Sequence, residues 1–461
     1  MKGRFLVLLL LLIVTAFAGC ATTNIGSNGL LALTNVTVID VAEGKARPDM
    51  TVVISGDRIT NTGPTGKTTP PFGARIIDAR GKYLIPGLCD MHVHFAAEET
   101  NLLLFLANGV TLIRGMGSVV IEPGGLEGFT YVPRQTMIDK ILQNRDRVAR
   151  GELLGPTIIT PGFILTGPLP PGAPYKSIDF QWALTEEKEA RSAVRSLNDQ
   201  GVDFIKVHMT PRSVYFAVAD EARHLGLPFA GHVPISITAV EAVRTGQASI
   251  EHMTGVKEYI DAAEPKGDPA AMDRRKEELF SLFAQSPDTW HVPTMALNQA
   301  FALADELYAH PDRESRLKYV RPELMAWWWK MWSPENFASD KLKSEAALED
   351  KLKWVGELNE AGVKLMAGTD FACPFVFPGF SLHDELILLN RAGLSTMQTL
   401  QAATLNPAKF LGLADTRGTI EKGKIADLVV LDANPLDDIA NTKAIAGVVL
   451  RGRYFSKSDL Q

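Results

Sequence analysis

The sequence predicts an α/β protein: a (β/α)8 TIM-like barrel with a small β-sandwich formed by both chain ends. Three observations lead there. Apolar, β-branched segments alternate with helical ones from residue 84 to residue 414, the order that a parallel sheet requires. Short strand-like runs without intervening helices bracket this region, over 30–83 and 415–461. Polar residues of metal-ligating type recur at the C-terminal ends of the central strands, the face on which barrels carry their chemistry.

Residues 1–20 stand apart from the fold. Lys2 and Arg4 precede an apolar run over 5–14 that is too short to span a bilayer. Thr15-Ala-Phe-Ala-Gly-Cys20 then ends in small residues and a cysteine. This resembles a bacterial lipoprotein signal, with Phe17 where leucine is usual; a plain secretory signal cleaved nearby is the alternative. Either implies export. Lipidation of Cys20 would anchor the protein to a bacterial membrane, on its periplasmic or cell-surface side. Residues 21–29 are small and polar and read as a tether.

Strands are expected over 31–40 and 51–59, with a Gly56-Asp57 turn inside the second, and near the other end over 428–431 and 446–450. Between them lie eight candidate strands, at 84–88, 110–114, 157–163, 204–209, 228–233, 249–253, 291–296 and 364–369. Helical apolar spacing separates them, as at 186–200, 211–225 and 237–245. Net charge is −6, with acids and bases interspersed, so the basic stripe of a nucleic-acid binder is missing.

His92 and His94 follow the first strand in Pro86-Gly-Leu-Cys-Asp-Met-His-Val-His-Phe95. At spacing two on an extended chain both imidazoles share one side, a start for a zinc site. Lys206 falls inside the apolar strand Val202-Asp-Phe-Ile-Lys-Val-His208. An ammonium there either reaches solvent, pairs with an acid, or is kept neutral by desolvation and reacts with CO2 to give a carbamate, an anionic bridging ligand. His232, His252 and Asp370 each end a strand. Singly, each has the reading of a satisfied core residue; together they read as a metal site.

These residues, with Gly231-His232, Glu251-His252, Ala367-Gly-Thr-Asp370, Ser381-Leu-His-Asp-Glu-Leu386 and Ala402-Ala-Thr-Leu-Asn-Pro-Ala408, make the chain resemble the amidohydrolase superfamily over nearly its whole mature length. The order resembles the branch with a carboxylated lysine on the fourth strand, which includes imidazolonepropionase-like proteins and metallo-dipeptidases or carboxypeptidases acting on Xaa-Pro or Xaa-Arg/Lys substrates. The resemblance implies two divalent metal ions. His92, His94 and Asp370 would hold one, and His232 and His252 the other. A CO2-derived carbamate on Lys206 and a hydroxide would bridge them, and Asp370 would act as catalytic acid/base. The His-rich shell favours zinc; manganese or cobalt also fits the carboxylate content. The implied reaction is hydrolysis of an amide bond in a peptide or N-acyl amino acid. Hydrolysis of cyclic amides or of lactone- and ester-like molecules is the alternative, and a non-catalytic metal-binding lipoprotein a further one.

Candidate substrate contacts are Tyr215, Arg114 as an anion anchor, His383 and His208. Relatives cleaving dipeptides carry a tyrosine after the lysine strand and several a histidine after the third; the loop Thr166-Gly-Pro-Leu-Pro-Pro-Gly-Ala-Pro-Tyr175 lacks that histidine. Trp327-Trp-Trp329 and Trp332 cannot all face one side of a helix. Ordinary packing, a lid, a homo-oligomer contact and a membrane-facing patch are the readings open to them. Cys89 and Cys373 flank the first and eighth strands, neighbours in a closed barrel, so an exported protein has a disulfide open to it; the bond's strict geometry leaves two free thiols as the main alternative.

Overall fold

The computed structural model describes residues 29–94, 99–117, 121–122, 130–131, 133–168, 181–332 and 341–460. The signal at 1–20 with Cys20, nearly all of the tether, and most of the third-strand loop lie outside the described residues.

Five strands open the chain: β1 (Leu30–Asp40), β2 (Lys45–Ser55), β3 (Arg58–Pro64), β4 (Arg75–Asp78) and β5 (Tyr83–Pro86). Next come β6 (Leu88–Val93), β7 (Val110–Gly115), the hairpin of β8 (Ile121–Glu122) and β9 (Thr130–Tyr131), β10 (Thr157–Ile159), β11 (Ile164–Thr166) and β12 (Gln181–Ala183). The series continues with β13 (Ile205–Val207), β14 (Phe229–Gly231), β15 (Ser249–Glu251) and β16 (Trp290–Val292). β17 (Leu428–Leu431), β18 (Ile445–Leu450) and β19 (Arg453–Ser456) close it.

Both chain ends meet in one eight-stranded sheet, ordered β19-β18-β17-β5-β1-β2-β3 with β4 beside β1. The junction is the antiparallel pair β5–β17, in which Leu84 faces Val430. Strand alternation splits β17 between two cores. Leu428 and Val430 pack with Leu31, Leu33, Val52 and Ile54, whereas Val429 and Leu431 join the large core of the central region. The sheet is thus held against the rest of the protein by every second side chain.

The central strands are parallel, in two runs: β10-β7-β6 and β12-β11-β13-β14-β15-β16. The segment after residue 363 lies between them, with Leu365 bridged to His291 and Phe371 to Val93. Met91 N donates to Ala367 O at 3.0 Å and Asp370 N to His92 O at 2.8 Å, which ties this segment to β6. On the other side β10 and β11, separated only by residues 160–163, pair with β7 and β13 respectively.

Local signals account for the helices that return the chain. In the helix Glu187–Asp199 the buried positions Ala190, Ala193, Val194 and Leu197 form one stripe, and Glu186 and Glu189 make a capping box. The helix Ala239–Thr245 starts on Thr238, whose side chain accepts from Glu241 N, and stops at Gly246 with φ 85°.

Four expectations are corrected. The segment expected as the first central strand, 84–88, belongs mostly to the terminal sheet as β5; the central strand is Leu88–Val93, so His92 lies on it. The run 51–59 is two strands, because the Gly56-Asp57 turn reverses it. The seventh strand ends at Val292, with a helix starting at Met295. The eighth makes only isolated bridges. Cys89 and Cys373 are free thiols. Trp327 and Trp328 are buried, and Trp328 Nε1 donates to Ala372 O at 2.6 Å, which is packing in the interior.

Candidate metal centre

The parallel ladder brings the ligand-type residues to one end. His92 is on β6 and His94 just beyond it; Lys206 is central in β13; His232 and His252 directly follow β14 and β15; Asp370 ends the bridging segment. His252 and Asp370 adopt φ of 58° and 64°, a left-handed conformation that turns each side chain out of its strand direction. Such strain, ~1–3 kcal/mol per residue, is typical of functional sites.

The distances converge on Asp370. Its Oδ1 lies 3.2 Å from His92 Nε2 and 3.0 Å from His94 Nε2, and its Oδ2 lies 3.8 Å from His252 Nε2. The His252 ring centroid lies 4.6 Å from that of His92 and 4.7 Å from that of His232. Donor atoms of His92, His252 and Asp370 all fall within 4.8 Å of one another, as one cation requires.

Hydrogen bonds on the far side of each ring assign the tautomers. His92 Nδ1 is 2.8 Å from Glu251 Oε2, and His94 Nδ1 is 2.6 Å from Gly117 O. A carboxylate and a carbonyl only accept, so both Nδ1 atoms carry the proton. His252 Nδ1 is 2.6 Å from Thr294 Oγ1, whose own proton goes to Pro293 O at 2.8 Å. That ring also donates from Nδ1. Three bare Nε2 lone pairs therefore face a carboxylate. His92 Nε2, Asp370 Oδ1, Lys206 Nζ and His232 Nδ1 are all buried without a hydrogen-bond partner. Electron-rich atoms set face to face fit a bound cation and little else.

Burial lowers Lys206 to about 8, aided by Arg114 and opposed by Glu251 and Asp370. A neutral amine is thereby accessible near neutral pH. Gly231 makes room for its stem: a Cβ there would lie 2.0 Å from Val207 O and 3.0 Å from Lys206 Cδ, at φ 138°. Because the obstructing atom is backbone, Gly231→Ala is expected to cost ~1–3 kcal/mol in a urea titration of the metal-free protein. An unchanged midpoint would contradict this close approach.

A buried network supports His92. Glu251 Oε1 accepts from Arg114 Nη2 at 2.8 Å and from Ser249 Oγ. Arg114 spends Nε on Met91 O at 2.7 Å and Nη1 on Ser249 Oγ at 2.9 Å. Asp90 accepts from Thr369 Oγ1 at 2.7 Å and from His92 N at 3.2 Å, locking β6 to the Asp370 segment.

The four candidate substrate residues fare differently. His208 lies beside the site, its ring 4.3 Å from that of His232. Arg114 is 1% exposed and committed to Glu251, so it acts behind the site instead of meeting an anion. Tyr215 faces the core from the helix Arg212–His224, its hydroxyl donating to Gln247 Oε1 at 2.8 Å. His383 is buried on the helix Phe380–Arg391, with Nδ1 3.0 Å from Thr442 Oγ1. Both positions follow from helical periodicity, which turns these side chains inward. Sequence reasoning passed over Glu251, Thr294 and Asp90 as supports. The signal for Glu251 is a charge at the end of the short, fully buried strand Ser249–Glu251, akin to that of Lys206.

A family model described as the amidohydrolase family matches residues 83–454. The imidazolonepropionase of Thermoplasma acidophilum is 47% identical over 85 residues, which are 17% of this chain and 19% of that protein. Among solved structures, a Xaa-Pro dipeptidase with bound methionine superimposes with a TM-score of 0.67 at 21% identity, covering 93% of this chain and 100% of that one. A bottromycin amidohydrolase gives 0.70 at 23% identity, covering 94% and 88%.

Proposed function

The chain belongs to the amidohydrolase family, and we propose that it is a metal-dependent hydrolase of carbon–nitrogen bonds that cleaves the amide bond of a small peptide or N-acyl amino acid at a binuclear centre. What carries this reading is the set of Nε2 lone pairs of His92, His94 and His252 turned on Asp370 beside the unpaired, buried Lys206 amine. The likeness to the Xaa-Pro dipeptidase fold supports the substrate class. We read the two parallel runs and the bridging segment as one closed (β/α)8 barrel that starts at β6 and runs to 414, with β1–β5 and β17–β19 forming the terminal β-sheet domain.

His92, His94 and Asp370 would hold one ion, and His232 and His252 the other, with zinc the ion that this shell favours. Lys206 would bridge them as a carbamate: its neutral amine attacks CO2, a nitrogen–carbon bond forms, and one proton leaves to solvent. The bound metal supplies Lewis acidity and a nucleophilic oxygen at neutral pH. The chain's own residues do the rest. Asp370 accepts the proton of the attacking water and hands it to the departing amine nitrogen. Glu251, Gly117 and Thr294 keep the ring protons of His92, His94 and His252 on Nδ1, so the Nε2 atoms of these three rings stay free to ligate.

We also propose export and lipid anchoring through residues 1–20 and Cys20. Among the described residues no helix is long and apolar enough to cross a membrane.

Metal analysis of the purified full chain, paired with assays on dipeptides and N-acyl amino acids, tests the reading. Two ions per chain and amide hydrolysis lost on chelation are expected. A stoichiometry near one would overturn the binuclear assignment.

A further inference from the structure

Glu385 is a fully buried carboxyl that the proposed amide chemistry does not use. It lies on the helix Phe380–Arg391, the first helix after the Asp370 segment, and its Oε1 has no hydrogen-bond partner. A buried carboxyl left half-satisfied costs stability, so the contact made by its other oxygen calls for a reason. That contact is with Ala296 N, which donates to Glu385 Oε2 at 2.7 Å. Ala296 is the second residue of the helix Met295–Ala302, and Thr294 is the residue on which this helix starts.

Thr294 is strained. It is fully buried, with φ 52° and ψ 54°, the left-handed region that a β-branched residue adopts only under constraint. In that conformation its Oγ1 accepts the Nδ1 proton of His252 at 2.6 Å and donates to Pro293 O at 2.8 Å. Two side chains hold the turn from its helical side. Asn298 Nδ2 donates to Thr294 O at 3.0 Å, with Asn298 Oδ1 accepting from Lys351 Nζ at 2.6 Å. Glu385 takes the N–H of Ala296, and so ties the helix that follows Asp370 to the turn that contacts His252.

We infer that Glu385 is a positioning residue of the metal centre: it fixes the turn at Thr294, and Thr294 fixes the His252 ring with its Nε2 free to ligate. This rests on the binuclear reading above. Glu251 supports His92 by direct contact, whereas Glu385 supports His252 at one remove. Burial pushes the Glu385 carboxyl well above the usual carboxylate range, opposed by the Ala296 N–H. A neutral acid still accepts from Ala296 N through its carbonyl oxygen, and an amide of the same shape does so equally. A hydrocarbon side chain does not, and leaves that N–H buried and unpaired.

The test follows zinc binding to the full chain and its variants by chelator competition. Two ions are expected in the parent. Glu385→Leu and Thr294→Val should each weaken one of the two roughly tenfold. The double variant Glu385→Leu/Thr294→Val should weaken it no further than Thr294→Val alone, because one residue acts through the other. Glu385→Gln should hold both ions as the parent does. Asp384→Asn alters the neighbouring carboxyl on the same helix, which pairs with Arg316 and Lys443, and should leave zinc affinity unchanged. If Glu385→Leu does not fold, Glu385→Asp, one methylene too short to reach Ala296 N, is expected to give the same loss. Losses that multiply in the double variant, unchanged affinity when Glu385 is removed or shortened, or an equal loss from Glu385→Gln or Asp384→Asn would each overturn the inference and leave the binuclear reading standing. A parent that holds a single ion would overturn that reading, and the inference with it.

Discussion

Lys206→Ala is expected to lose at least roughly three orders of magnitude in kcat/KM, or ~4 kcal/mol of transition-state stabilisation. The residue is fully buried, its amine has no hydrogen-bond partner, and it sits on the strand next to the one that ends at His232. Removing the side chain takes away the one atom there able to become an anionic bridge, while the histidines and Asp370 keep their positions. Two measurements separate this from damage to the fold. Metal content should fall below two per chain, and short carboxylic acids, which fit the vacated volume, should restore part of the activity. Retention of activity without added acid would refute the carbamate role. Because Ala is smaller and apolar, the metal-free protein should lose little stability; replacing a buried unpaired amine removes a desolvation cost as it opens a cavity.

The second large effect concerns the pair behind the site. Arg114→Met is expected to destabilise the metal-free protein by ~3–5 kcal/mol, because Glu251 is left as a fully buried carboxylate without its guanidinium. Glu251 is held well below the ordinary carboxylate range: burial raises it, but Arg114 and the hydrogen bond from His92 outweigh that. The double variant Arg114→Met/Glu251→Leu should recover most of the lost stability, since apolar pairs of similar volume replace buried ion pairs at little cost. It should not recover metal affinity. Without Glu251 the His92 ring has no acceptor for its Nδ1 proton, and a loss of about 10–100-fold in affinity follows, read by chelator competition. If the double variant bound metal as tightly as the parent, the network would be structural only.

These two results bear on what was legible in the chain. Lys206 lies between Ile205 and Val207, and Glu251 ends the short strand Ser249–Glu251; both strands are buried throughout, and a charge there is anomalous whatever the fold. The histidines at strand ends were equally legible, since strand periodicity and the Gly-His and Gly-Thr-Asp pauses mark where each strand stops. Tyr215 and His383 illustrate the opposite. Their positions just past catalytic strands suggest a role at the site, but helix phase, which linear distance does not convey, sends both side chains into the interior. Leu84 reads in sequence as part of a central strand because apolar runs look alike in a terminal sheet and a central one; only its pairing with Val430 distinguishes them.

The sequence by itself determined the alternating order of strands and helices, the union of both chain ends in β-structure, and which residue types stand at the catalytic ends. All of these depend on local periodicity and on the cost of placing charge among apolar neighbours. Tertiary structure alone decided which nitrogen of each imidazole is free, that Arg114 supports Glu251 and does not meet substrate, and that Asp90 clasps Thr369 across 279 positions of chain. The reason is physical: a hydrogen-bond partner is chosen by distance and direction in space, and residues far apart in sequence carry no record of either.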